Sequence, residues 1–130
     1  MHLKVGDINE VRDVCSSYNT AKSLQTGGAE VYATIYMIGL MEKAAFLLLE
    51  NSLDESLSSV GVEVNVSHIS ATPIGMSVRA VAKVLNIEEK RVEFLVEAYD
   101  EVAKIGEGKH VRYVINKEKF LKRTYQKLQK

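Results

Sequence analysis

The stretch Tyr36-Met-Ile-Gly-Leu-Met-Glu-Lys-Ala-Ala-Phe-Leu-Leu-Leu49 is apolar at almost every position. It predicts a helix from about Thr34 to Asn51 with apolar residues around most of its axis, and a helix of this kind belongs in a core. Glu42 interrupts the pattern. A fully buried carboxylate is costly unless it is paired, hydrogen-bonded or protonated, so Glu42 is predicted to have a partner and is a candidate for chemistry.

Downstream of this helix the apolar period changes to two, which is typical of strands with one buried face. Alternating runs begin at Val62, Met76 and Val92, a fourth strand candidate covers 103–115, and 1–15 reads as a weak strand. Residues 16–29 are predicted to form a loop with a short helical piece, and Asn116 to cap a C-terminal amphipathic helix. Short turns require antiparallel pairing, so the sequence predicts an α+β roll, a sheet wrapped around a central helix, in one domain spanning 1–130.

Composition and charge exclude several classes of partner. The chain has 130 residues with 17 basic and 17 acidic side chains and a pI near 6.8, a balance that favours neither nucleic acid nor an anionic membrane as a partner. One cysteine cannot form an internal disulfide, and neither a signal peptide nor an apolar run of membrane length is recognisable. A cytoplasmic protein is therefore expected.

His68 is the second candidate for chemistry. It has the same strand parity as Val62, Val64 and Val66, which points it at the face where the helix should pack. A histidine facing Glu42 in an apolar layer would form a general acid/base pair. The alternative is a structural histidine satisfied by one hydrogen bond in the core.

Thr34 and Gly39 lie on the same predicted helix as Glu42. Thr34 is eight positions before Glu42, about 80° around the axis, so both can border one cavity without touching; the alternative for Thr34 is a helix N-cap. Gly39 either allows close packing of the helix on the sheet, the interpretation favoured here, or leaves room for a substrate beside Glu42.

Gly61 and Arg112 are further candidates for the site. Gly61 opens the valine strand, either as a turn residue or as a backbone N–H donor to an oxyanion. The run Gly106-Glu-Gly-Lys-His-Val-Arg112 lacks the spacing of a phosphate loop, and its glycines predict a bulge or a close backbone approach. His110 and Arg112 share a face that is either a solvated edge or, through the arginine, a partner for Glu42.

Three segments together resemble a known family. They are Val31-Tyr-Ala-Thr-Ile-Tyr-Met-Ile-Gly-Leu-Met-Glu42, the run Val66-Ser-His-Ile-Ser-Ala-Thr-Pro73 after Gly61, and Ile105-Gly-Glu-Gly-Lys-His-Val-Arg112. In this order they resemble the fluoroacetyl-CoA thioesterase-like branch of the hotdog-fold proteins. The hotdog fold is a helix wrapped by an antiparallel sheet, which agrees with the roll predicted from the pattern.

The resemblance implies an acyl-CoA thioesterase with Thr34, Glu42 and His68 as the catalytic set. Glu42 would be the nucleophile or general base at the thioester carbonyl, His68 would handle protons, and Thr34 would orient these groups and the substrate. The Gly61 N–H would stabilise the oxyanion, with Arg112 and Gly39 as further substrate-binding positions. The resemblance implies no metal and no cofactor other than the coenzyme A of the substrate, and a homodimer with its sites near the interface.

The chain departs from the family ahead of the helix. In the branch that is selective for fluoroacetyl groups, the resemblance implies an aromatic lid just ahead of the helix. This chain has Gln25-Thr-Gly-Gly-Ala29 there, without Phe or Trp. The prediction is therefore hydrolysis of a small acyl-CoA without fluoroacetyl selectivity. The alternatives are a non-catalytic acyl-CoA-binding domain and an acyl-CoA hydratase or dehydratase, since the fold is shared among them. The presence of Thr34, Glu42 and His68 favours hydrolysis.

Overall fold

The computed structural model describes residues 1–129, which form five strands, two α-helices and one 3-10 helix. The strands are β1 (Ile8–Val14), β2 (Leu57–His68), β3 (Ser77–Glu88), β4 (Arg91–Tyr99) and β5 (Lys104–Asn116), and the helices are α1 (Thr34–Glu50) and α2 (Lys117–Tyr125), followed by a 3-10 turn (Gln126–Gln129). The predicted α1 and the four strands after it are all present within a few residues of their predicted ends.

The five strands form one antiparallel sheet in the order β1-β3-β4-β5-β2, with α1 packed on one face. This is the predicted α+β hotdog arrangement, with the additional C-terminal helix. β1 and β2, which flank α1 in sequence, lie at opposite edges of the sheet. The residues of α1 that face the sheet are buried: Met37, Leu40, Met41, Ala44, Ala45 and Leu49.

The two central strands show the alternation that the sequence predicts. Every second residue of β4, and of β3 as far as Val84, is buried on the face that carries α1, and these residues are Val78, Ala80, Ala82, Val84, Val92, Phe94, Val96 and Ala98. Small alanines in the middle of β3 allow the helix to approach closely, while Phe94 fills the wider space on β4. Burial of this apolar layer, worth about 25 cal/mol per Å², holds helix and sheet together.

β2 corrects one prediction. Val62 and Val64 are not core residues, since they are 56% and 40% exposed. The pairing of β2 with β5 shifts register between Gly61 and Glu63, which is a β-bulge, and a bulge inverts the parity of the strand. Before the bulge the odd-numbered Ser59 points towards α1; after it the even-numbered residues do. The argument from parity therefore holds for His68; what it predicted wrongly is the burial of Val62 and Val64.

The helix caps and the loop before α1 confirm one prediction and correct two others. Asn116 caps α2 as predicted, its side chain accepting a hydrogen bond from the Lys119 N–H at 3.0 Å. The N-cap of α1 is Ala33 rather than Thr34, and its side chain makes no capping bond. Residues 16–29 form turns instead of the predicted helical piece. An isolated bridge from Thr20 to Tyr32 ties this loop to the segment just before α1, and a second bridge pairs Val31 with Pro73.

Candidate active site

The first part of the site lies where α1 begins and β2 ends. Thr34 is the first residue of α1 and His68 the last residue of β2, and Thr34 Oγ1 lies 2.7 Å from His68 Nδ1. The hydroxyl that was a candidate cap is used instead in a side-chain hydrogen bond that joins the helix to the sheet edge. Structure thus brings together two of the three predicted catalytic residues.

The environment of His68 favours its neutral form. Burial lowers the pKa of His68, and the backbone of Ser70 opposes this shift only in part. The Nε2 atom of His68 is buried and has no hydrogen-bond partner among residues 1–129. A neutral imidazole that is hydrogen-bonded to a hydroxyl at the wall of a pocket can take up a proton.

An open pocket lies beside the Thr34–His68 pair. Its volume is about 390 Å³, and the two side chains share its wall with Val31, Tyr32, Ile35 and Ile69. Apolar walls around a hydroxyl and an imidazole suit a small ligand that has one reactive polar group. Thr26, on the glycine-containing loop before α1, also borders this pocket.

The second part of the site surrounds Glu42 and corrects the premise that this carboxylate is fully buried. The Glu42 side chain is 43% exposed, and its Oε2 lies 3.6 Å from Nη1 of Arg112. A Cβ added at Gly61 would be 2.7 Å from the same oxygen, so the carboxylate lies directly over the Gly61 backbone. Within one chain Glu42 is paired with Arg112 rather than with His68 or Thr34.

Arg112 and His110 are buried beneath Glu42. Only 6% of Arg112 and 1% of His110 is exposed, so they do not form the solvated edge that was the first interpretation of this strand. Arg112 donates through Nε to Ser59 Oγ at 2.8 Å and through Nη2 to the Ser59 carbonyl at 3.1 Å. Burial lowers the pKa of Arg112, an effect that Glu42 and Glu50 oppose.

The two parts are separated within one chain. Thr34 and Glu42 are eight residues apart on α1, which is about 12 Å of helix rise. Gly61 and His68 are separated by most of the length of β2, about 20 Å. A glutamate side chain cannot span that distance, so one chain presents Thr34–His68 and Glu42–Gly61–Arg112 as two clusters. We call them the Thr34 cluster and the Glu42 cluster.

Gly39 belongs to neither cluster. A Cβ added there would meet nothing within 4 Å among residues 1–129, so the favoured interpretation, close packing of the helix on the sheet, is wrong. Gly39 lines a different open pocket of about 410 Å³, together with Tyr36, Lys43, Arg12 and Asp13. The glycines of β5 do show the predicted close approach, since a Cβ at Gly106 would collide with Met37.

Two further searches cover the part of the chain that the structure describes. Within residues 1–129, no group of three or more His, Cys, Asp or Glu side chains is placed to hold a metal ion. None of the helices in this range is both long enough and apolar enough to cross a membrane.

Comparison with known proteins identifies the family. The family model described as "Fluoroacetyl-CoA-specific thioesterase" matches residues 15–118, a range that includes both clusters. The chain belongs to this family. It is 40% identical over 98 residues to the fluoroacetyl-CoA thioesterase of Streptantibioticus cattleyicolor, an alignment that covers 75% of this chain and 70% of the relative.

Solved structures show the same relationship. A variant of the fluoroacetyl-CoA-specific thioesterase, in complex with fluoroacetate and CoA, is 34% identical with a TM-score of 0.86, covering 91% of this chain and 99% of the other. A thioesterase superfamily member of Thermus thermophilus is 29% identical with a TM-score of 0.89, covering 99% and 96%. The predicted hotdog fold and the predicted class, a hydrolase acting on acyl-CoA thioesters, are confirmed.

The sequence contained a signal for one residue that we did not assign to the site. His110 lies in the Glu42 cluster, with its Cε1 3.1 Å from a Cβ added at Gly61. His110 and Arg112 are two residues apart on β5, so the sequence predicts that they share a face of the strand. The sequence of β5 does not show that this face lies beneath Glu42.

Proposed function

We propose that this thioesterase hydrolyses a small acyl-CoA in a composite site, built from the Thr34 cluster of one subunit and the Glu42 cluster of another. The observation that carries the proposal is the separation of the two clusters within one chain. Each is incomplete by itself, because one has a proton acceptor and the other has the carboxylate. Both lie on the face of the sheet that carries α1 and beside its β2 edge.

The β2 edge supplies a way to join the clusters. In the part of the chain that the structure describes, β2 pairs with β5 on one side and with no strand on the other. Val62 and Val64, exposed on this edge, are an apolar surface that a second copy would cover. We infer a homodimer in which two β2 strands pair antiparallel about a two-fold axis, joining two sheets into one.

The register of this pairing is constrained by the faces of β2. Directly opposite residues of an antiparallel pair share a face. An axis at Asn65 satisfies this rule, because it places Val64 opposite Val66 of the partner subunit. The Gly61 bulge then lies opposite His68 of the partner subunit, which brings Glu42 of one chain to Thr34 and His68 of the other.

The roles follow from the chemistry of each group. Glu42, half exposed and held over Gly61, acts at the thioester carbonyl as nucleophile or as general base for water. His68, held in its neutral form, moves the proton, and Thr34 orients the imidazole and the substrate. The Gly61 N–H is the donor proposed for the oxyanion. Arg112 fixes the carboxylate from below, while Gly39 has no role here because it lines another pocket.

Subunit complementation tests the composite site. Glu42→Gln and His68→Ala are each expected to be inactive alone, and mixed dimers should contain one site with both changes and one with neither. Refolding the two variants together should therefore restore about a quarter of wild-type activity, since about half of the dimers are mixed. A mixture that stays inactive although mixed dimers form, as shown by differently tagged subunits, would mean that Glu42 and His68 must be carried by the same chain and would overturn the composite site.

The substrate range is proposed from the loop and the pocket. The segment 25–29 before α1 has Gly27 and Gly28 and no Phe or Trp, and the pocket at Thr34 is open. We expect hydrolysis of acetyl- and propionyl-CoA without the preference for fluoroacetyl-CoA that the names of the relatives describe. Assay of acyl-CoAs of increasing chain length tests this expectation. Binding without hydrolysis of any of them would favour a non-catalytic acyl-CoA-binding domain.

The remaining expectations concern the cell and the cofactor. Cys15 is free and buried, which is compatible with the predicted cytoplasmic location. We propose that coenzyme A enters only as part of the substrate and that hydrolysis proceeds without a metal. Undiminished activity after exhaustive dialysis against EDTA is the expected result.

A further inference from the structure

We propose that His110 is a positioning residue for hydrolysis, which, as a neutral hydrogen-bond acceptor, orients the Arg112 guanidinium so that Nη1 faces Glu42. The inference rests on the proposed role of Glu42. His110 does not line the pocket at Thr34, and its side-chain hydrogen bond towards the Glu42 cluster is the one to Arg112, so we assign its effect to Arg112.

The hydrogen bonds of His110 define its tautomer. Nδ1 lies 2.9 Å from the carbonyl oxygen of Glu63, and a carbonyl only accepts, so Nδ1 carries the proton. Nε2 lies 3.2 Å from Nη1 of Arg112, and a guanidinium only donates, so Nε2 carries none. The ring is therefore neutral, with both nitrogens satisfied. A second proton on the ring, at Nε2, would point at the Nη1 donor of Arg112, so that two donors would face each other in a buried site.

The position of Arg112 depends on this acceptor. Nε and Nη2 are both held by Ser59, and Nη1 is left with two partners among residues 1–129, His110 and Glu42. The bond to His110 is the shorter of these, 3.2 Å against 3.6 Å. His110 thus fixes the one corner of the guanidinium that faces the carboxylate. Without that acceptor, Nη1 has only a half-exposed carboxylate to hold it.

The ring itself is held rigidly. His110 stacks on Phe94 with ring centroids 6.3 Å apart and an angle of 27° between the planes, and it is 1% exposed. Its anchor, the Glu63 carbonyl, belongs to the bulge of β2 that also contains Gly61. The bulge, the imidazole and the guanidinium form one chain of contacts ending at Glu42. A rigid support of this kind sets the geometry of a reactive group without touching the substrate.

Three substitutions of His110 distinguish the effect of its hydrogen bond to Arg112 from that of its hydrogen bond to Glu63. His110→Gln places an amide oxygen near the position of Nε2 and keeps an acceptor for Arg112. His110→Met has a similar length and no strong acceptor, and His110→Asn can donate to Glu63 but is too short to reach Arg112. We expect His110→Gln to keep kcat for acetyl-CoA within about threefold of wild type, and Met and Asn to lower it about tenfold or more. Activities are compared per folded protein, measured by circular dichroism.

A purely structural role for His110 predicts a different order. Gln and Met both lose the donor to Glu63, so in that case they would lower kcat equally, and kcat would follow the melting temperature. Equal kcat values for Gln and Met therefore overturn the proposal. The Asn variant provides the same contrast with Gln if Met does not fold.

A double-mutant cycle gives a second, independent readout. Arg112→Lys removes the guanidinium corner that His110 holds, so His110→Met should have little further effect on kcat in that background. Additive losses would show that His110 does not act through Arg112.

The Glu42→Gln variant distinguishes this inference from the proposed function. If that variant stays active, the role of Glu42 fails. If it is inactive and the His110 and Arg112 losses are additive, only the positioning role of His110 is contradicted.

Discussion

The Thr34 cluster and the Glu42 cluster lie on the same helix and beside the same strand, but their chemistry differs. The first is a neutral hydrogen-bonded pair beside an apolar pocket. The second is a half-exposed carboxylate on a glycine backbone, supported by a buried guanidinium and a buried imidazole. Under the proposed function the difference would be a division of roles: the first cluster would move a proton, and the second would hold the carboxylate in place. Each prediction below alters one of the two clusters or the contact between them.

The largest effect is expected from Glu42→Gln, which removes the charge from the second cluster and keeps its shape. Loss of the nucleophile or base should lower kcat by about a thousandfold or more, while acyl-CoA binding changes little. Because Glu42 is half exposed, its replacement should leave the melting temperature nearly unchanged. The matched control is Glu50→Gln on the same helix, whose carboxylate accepts a hydrogen bond from Ser58. Similar losses in both variants would contradict the role given to Glu42.

Separating the clusters should have the next largest effect. Val64→Lys puts a charge on the β2 edge and should convert a dimer, about twice the 14.5 kDa chain mass, into a monomer. Activity at low protein concentration should then fall about a hundredfold, because each site needs both chains. Light scattering together with the assay measures this. Val102→Lys, at an exposed turn, is the control, and a fully active Val64→Lys monomer would refute the composite site.

Removing the hydroxyl of the first cluster tests its internal bond. Thr34→Val keeps the size of the side chain but leaves His68 Nδ1 without its partner at 2.7 Å. We expect kcat to fall roughly ten- to a hundredfold, and Thr34→Ser to keep most of the activity because it keeps the hydroxyl. Equal activities for Val and Ser would mean that the hydrogen bond does not matter for turnover.

Gly61→Ala adds a methyl group under the second cluster. The new Cβ would lie 2.7 Å from Glu42 Oε2 and 3.1 Å from His110 Cε1, so the carboxylate must move. We expect about a tenfold loss of kcat, since the end of a glutamate side chain can shift without unfolding the protein. Gly28→Ala is the control, because its Cβ would meet nothing within 4 Å among residues 1–129. Unchanged kcat would show that the position of Glu42 over Gly61 is not needed.

The smallest effect concerns the histidines of both clusters. Burial lowers the pKa of His68 and of His110, so the unfolded chain takes up protons first as the pH falls below about 6.5. Stability therefore rises with pH between the folded pKa values and about 6.5, and is fully present above that. Urea unfolding at several pH values should show this slope, and His110→Gln should reduce it. A slope of the opposite sign would mean that the folded protein prefers the charged histidines.

The elements that the sequence predicted well are those decided by local pattern. α1 was recognised because its apolar residues surround the axis, and β3 and β4 because every second residue is apolar. Thr34, Glu42, His68, Gly61 and Arg112 were candidates from their positions in the pattern; the resemblance implied the roles of Thr34, Glu42, His68 and Gly61, and the family is confirmed. Their catalytic roles remain predictions.

Pairing across the chain decided the rest. The bulge at Gly61 and the exposure of Val62 and Val64 could not be predicted from β2 alone, since the bulge exists only relative to β5, some fifty residues later in the chain. Glu42 was expected to face His68, but the crossing of α1 over the sheet places it on Gly61 and Arg112. His110 and Arg112 share a face that we interpreted as a solvated or salt-bridged edge; in the structure β5 lies between β4 and β2, and both side chains are buried.

By itself, the sequence determined the apolar helix, the alternating strands and the Asn116 cap, because each depends on side chains within a few residues of one another. Only the tertiary structure decided which polar groups contact one another: Glu42 with Arg112, Thr34 with His68, and His110 with the bulge of β2. The physical reason is that period and propensity act along the chain, whereas a hydrogen bond depends on distance in space. That distance is set by strand order and register, which no single segment of the chain contains.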